Sequence, residues 1–108
     1  MKFDINETLD QMLAAIKGSV GENWPQVKAT ASQFLENKKE RLNLLAELRI
    51  AGDLSHEKFM SRLEDEKLIA EAELNALKVL SKAMAQDAAN AGISVLEKTV
   101  KGILDAVL

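Results

Sequence analysis

Ser55-His56-Glu57-Lys58-Phe59-Met60-Ser61-Arg62-Leu63-Glu64-Asp65-Glu66-Lys67 opens a stretch, residues 55–91, that holds neither proline nor glycine. Within it Leu63, Ala70, Leu77, Met84 and Ala91 recur every seventh residue. Met60, Lys67, Leu74, Ser81, Ala88 and Val95 form a second row with the same spacing. Two such rows are the a/d signature of a long helix with a narrow apolar seam. The reading is one helix over 55–91 or beyond, against which the preceding chain folds back.

Working outward, Gly52 precedes this helix and Ser55 is its expected N-cap. Leu54 and Phe59 have the spacing of a hydrophobic staple, which sets the angle of entry. The partner helix spans about 23–51, with Pro25 in its first turn, where a missing N–H does no harm. Its apolar positions, Trp24, Val27, Ala31, Phe34, Leu35, Leu42, Leu45 and Leu48, again fall three and four apart. Nearer the start, Asp4 or Asn6 caps a short helix carrying Ile5, Leu9, Met12, Leu13, Ile16 and Val20 on one face. That helix is expected to end near Lys17, with Gly18 and Gly21 bracketing a break.

A fold-back at Gly52 makes a register prediction. Residues equally distant from the turn face each other, so Lys38, Lys39 and Arg41 fall opposite Glu64, Asp65 and Glu66. A basic cluster meeting an acidic one is the pairing expected at the flanks of an antiparallel coiled coil. Further out, Trp24 falls near Ser81, where the chain turns small through Ala83, Ala85, Ala88, Ala89, Ala91 and Gly92. Farther still, Ile5, Leu9 and Ile16 fall against Leu104, Val100 and Ile93. The expected fold is all-α, with residues 1–108 as a single helical domain. A long antiparallel hairpin forms a coiled-coil-like bundle, and the short N-terminal helix packs on the C-terminal segment.

The totals agree. The 108 residues suit one domain, and 47% hydrophobic against 29% charged, with a single proline, argues for an ordered helical chain. The absence of cysteine removes disulfides, zinc–thiolate sites and thiol nucleophiles. A net charge of −3 does not suit a nucleic-acid binder. The acidic opening lacks a signal-peptide core, and no apolar run approaches a membrane span, so the expected location is the cytoplasm.

Residues that carry chemistry are few. His56 is the only histidine, and its neighbour Ser55 points elsewhere on a helix, so the two do not read as a base and a nucleophile. The carboxylates between Glu57 and Glu73 lack any Glu-x-x-His, the signature of di-iron bundles, and read as solvated charges. Gly18-Ser19-Val20-Gly21 lacks the lysine and hydroxyl of a phosphate loop and follows a helix. No enzyme, cofactor, metal or small-molecule substrate is expected.

What remains is surface. Leu44, Ile50, Leu68, Ile69, Val79 and Leu80 lie outside the main rows and widen the apolar stripe beyond a two-helix seam, and Trp24, a lone tryptophan near a helix start, can anchor a partner. They point to a non-enzymatic structural or interaction module that self-associates into a helical bundle, most simply a dimer, or binds another helical protein. The alternative is a membrane-surface or lipid-binding protein using the amphipathic segment 93–108. Its charges cancel, and it has no basic polar face or tryptophan to favour a bilayer.

Overall fold

The computed structural model describes residues 3–107. Met1, Lys2 and Leu108, and the side chain of Val107, lie outside that description. Four helices follow one another: α1 (Ile5–Val20), α2 (Trp24–Ile50), α3 (His56–Ala76) and α4 (Lys82–Val107), with a 3₁₀ turn at Gly21–Asn23. No strand occurs among the described residues.

Local chemistry sets most of the boundaries. The Asp4 carboxylate accepts from the backbone N–H of Asn6 (3.0 Å) and Glu7 (3.2 Å), so Asp4, not Asn6, caps α1. α1 runs to Val20, past the expected end near Lys17. The left-handed residue that stops it is Gly21, at φ 57°, while Gly18 stays helical. α2 starts at Trp24 with Pro25 in its first turn. It ends in a Schellman motif, in which Gly52 N–H donates to the Arg49 carbonyl (3.2 Å) and Asp53 N–H to that of Leu48 (2.9 Å). Gly52 takes φ 85°, a conformation open to glycine without strain. Ser55 then caps α3 by accepting from Lys58 N–H at 3.2 Å.

The single helix expected over 55–91 is not formed. It breaks after Ala76, and α4 starts afresh at Lys82. Lys78 takes φ 62°, the one non-glycine residue with positive φ among those described. A side-chain-bearing residue in that region costs about 1–2 kcal/mol. Ser81 accepts from Met84 N–H at 3.1 Å and so caps α4. Packing explains the break. An unbroken helix would carry Ile93, Leu96, Val100 and Ile103 far past any element able to cover them. Turning back at 77–81 buries all four to 6% exposure or less.

α4 is the element around which the others gather, packing against α1, α2 and α3, most extensively against α1. Met12, Ile16, Leu96 and Val100, all nearly fully buried, belong to the core that results. The small residues of α4 are the means of approach. Ala85, Ala88 and Ala89 are at most 1% exposed, and a Cβ at Gly92 would lie 3.1 Å from both Cγ1 and Cδ1 of Ile16. The sequence placed this small stretch opposite Trp24; its close contact at Gly92 is with α1 instead. Ile16 lies at Gly92, while Asp4 and Thr8 line one hollow with Thr99 and Ile103. The Ile16–Gly92 contact lies one residue from the Ile16–Ile93 pairing read from the turn.

Gly92→Val should force Ile16 from its position and add a β-branched residue to a tight helical contact. The expected loss is about 1–3 kcal/mol of unfolding free energy, the usual result of overpacking, read from urea denaturation followed by circular dichroism. Ser81→Ala should lose about 1 kcal/mol in the same assay through the missing cap.

Candidate functional site

α2 and α3 meet at a buried carboxylate. Glu66 is 1% exposed, one of two buried polar or charged residues among those described; the other is Thr8, whose hydroxyl donates to the Asp4 carbonyl at 2.8 Å. Arg41 Nε donates to Glu66 Oε1, and Lys38 Nζ stands 3.3 Å from Oε2. The lysine is close enough to neutralise charge but off the direction of a hydrogen bond, which leaves Oε2 without a donor. Lys38 and Arg41 keep 25% and 51% of their side chains exposed. Both cations therefore reach solvent, Arg41 more than Lys38, while the carboxylate between them does not.

This cluster is where the sequence placed a wider exchange of charge, and it is narrower than expected. Lys38, Arg41 and Glu66 come together across the two helices. Glu64 pairs instead with Lys67 on its own helix, at 2.8 Å. Lys39 and Asp65 form no ion pair among the described residues. Glu66 is also the one buried carboxylate of its region, where solvated charges were expected. Sign is written in the sequence, but depth is not: burial follows from Glu66 sharing a face with Phe59, Leu63, Ala70 and Leu74.

The seven apolar residues expected to face a partner divide into three groups. Leu44, Leu68, Ile69 and Val79 are exposed, at 56%, 53%, 40% and 37%. Trp24 and Ile50 pack in part against the core. Leu80 is not available to a partner, because at 7% exposure it is a core residue. At the turn that follows Ala76, Leu80 packs in the core while Val79 stays outside.

An open groove of about 450 Å³ runs between α3 and α4 over Met60, Leu63 and Ile93, with Glu64, Lys67 and Asp87 along its rim. A second hollow of about 240 Å³ adjoins it through Met60 and Glu97 and reaches His56 and Arg49. Ser55 Oγ is engaged as the α3 cap, and His56 is exposed beside it. Among the described residues no three His, Asp or Glu side chains converge on a point where they would hold a metal ion. The groove offers shape and mixed charge but no nucleophile held by a base.

The buried cluster makes an asymmetric prediction. Arg41→Met strands the Glu66 carboxylate in the interior with Lys38 alone and should cost about 3 kcal/mol. Glu66→Met removes the buried charge and frees two cations that already reach water, so its cost should be well under half as large. Urea unfolding of the two variants side by side measures the difference. Compared with protein-family models, curated proteins and solved structures, the chain matches none, so its function has to be read from this geometry.

Proposed function

We propose that the chain is a non-enzymatic helical interaction module that self-associates into a helical bundle. In this reading α2 and α3 form an antiparallel, coiled-coil-like hairpin, with Glu66 clasped by Lys38 and Arg41 as its register mark. The observation that carries the proposal is the exposure of Leu44, Leu68, Ile69 and Val79 on α2, α3 and the α3–α4 turn. Leu68 and Ile69 are consecutive and together present two branched aliphatic side chains to solvent. Large apolar residues left outside a covered core favour a protein partner. A second copy of the chain, most simply in a dimer, is the partner that requires least, and another helical protein is the other candidate.

The lipid-surface alternative asks more of the molecule. Ile93, Leu96, Val100 and Ile103 would have to leave the core before 93–108 presented an apolar face to a bilayer. No helix among the described residues is long and apolar enough to cross a membrane.

Light scattering coupled to size-exclusion chromatography, over a wide range of concentration, tests the proposal. The expected mass is twice the 11.9 kDa of one chain, with a melting temperature that rises with concentration. A single-chain mass at every concentration, with an unchanging melting temperature, overturns self-association.

A further inference from the structure

The α3–α4 turn is held in a conformation that its own residues disfavour. Leu77-Lys78-Val79-Leu80 contains neither glycine nor proline, yet Lys78 sits at φ 62°. Glycine or asparagine usually occupies such a C-terminal position. The flanking Ala76, Leu77, Leu80, Lys82, Ala83 and Met84 include some of the strongest helix formers, and the apolar row Leu63, Ala70, Leu77, Met84 and Ala91 runs through the turn without interruption. The last bonds of α3 have already tightened, with Leu77 N–H donating to the Leu74 carbonyl at 3.3 Å and Lys78 N–H to that of Asn75 at 3.2 Å. Locally the chain favours a straight helix. Only the docking of α4 on the other three helices bends it.

We infer that this turn is a hinge through which two copies of the chain exchange α4. When 77–81 straightens, α3 and α4 become one helix from His56 to Val107, and each α4 docks on α1, α2 and α3 of a second copy. The inference rests on the self-association proposed above and names its mechanism. Exchange leaves the docked surfaces of α4 the same, since Leu96, Val100 and the Gly92–Ile16 contact are remade between copies. The difference between the closed and exchanged forms therefore lies in the hinge and in the entropy of association. The hinge favours the exchanged form, because straightening relieves Lys78 and satisfies backbone groups at both helix ends. Val79, exposed at the turn, and Leu77, half-buried there, would lie where the two straightened helices cross.

The hinge is tested by opposing substitutions at one position. Lys78→Gly accepts the left-handed conformation and lowers helix propensity, so it favours the closed chain. Lys78→Ile forbids that conformation and favours the straight helix. Each dimer contains two hinges, so the effect enters twice. Lys78→Gly should raise the dimer dissociation constant about 30-fold or more, and Lys78→Ile should lower it, as measured by sedimentation equilibrium.

Spin labels at Lys58→Cys and Lys98→Cys, exposed positions in a chain without native cysteine, report the mode of assembly in the otherwise unaltered protein. Doubly labelled chain is refolded with a large excess of unlabelled chain, so that only distances within one chain register. Exchange predicts labels about 60 Å apart along a continuous helix, the 1.5 Å rise multiplied over forty residues. A dimer whose labels remain close overturns exchange but leaves self-association standing, with Leu44 and Leu68 as the interface to pursue. Monomers for both the unaltered chain and Lys78→Ile overturn both. If Lys78→Ile does not fold, the labelled wild-type chain and Lys78→Gly still decide the question.

Discussion

The approach of α4 to α1 at Gly92 constrains the rest of the molecule. Two helices whose backbones come this close need small residues at the crossing, and α4 supplies Ala85, Ala88, Ala89 and Gly92 in helical succession. Once α4 lies there, its larger residues, Ile93, Leu96 and Val100, fill the space among the other helices. The chain must then reverse between α3 and α4 within the five residues 77–81. The strained backbone at Lys78 is a consequence of that packing. A left-handed lysine is tolerable because one such residue costs about 1–2 kcal/mol, while burying a single Leu or Ile side chain recovers about 1.5–3 kcal/mol.

The α2–α3 contact follows a different logic. α4 is secured by apolar burial, whereas α2 and α3 share a buried charge. Such a cluster contributes little net stability, since desolvating the carboxylate offsets most of the attraction. What it contributes is position. Any slip of α2 along α3 separates Glu66 from Lys38 and Arg41 and leaves an uncompensated interior charge. The Schellman turn and the Ser55 cap fix where α3 begins. The ion cluster constrains the same pair of helices more than a full helical turn away, so both ends of the contact are specified.

The legibility of the fold tracked how local its causes were. The starts of α1, α2 and α3 were readable at Asp4, Pro25 and Ser55 because a cap or a ring acts on its own few residues. The end of α2 was readable at Gly52 for the same reason. The break at 77–81 was not, since its left-handed residue is a lysine and its capping serine sits in an apolar row, where it read as a small seam residue. The cause of that break lies outside the segment, in the need to cover α4. The charge pairing was legible as sign and register, through Lys38, Arg41 and Glu66. The burial of Glu66 was hidden, because depth depends on the whole face and not on the pair. Leu80 lies outside both seven-residue rows, so its burial is hidden from the spacing in the same way.

The distribution of exposed apolar residues follows from this division of labour. α1 and α4, the more apolar helices, cover their faces against each other and the core. The large aliphatic residues left at the surface, Leu44, Leu68, Ile69 and Val79, lie on α2, on α3 and at the turn. α2 and α3 are rich in charge and would be the natural solvated face of the molecule, so exposed leucines there are not explained by a shortage of polar residues. Leu44 and Leu68 also lie away from the buried rows of their own helices, which rules out core packing as their purpose. Four side chains spread over three elements make too sparse a surface to hold a partner by burial alone. An assembly that also remakes the α4 contacts would use a far larger apolar area already shaped to fit. In the proposed exchange the surplus residues would act at the margins of an interface whose centre is the core of the single chain.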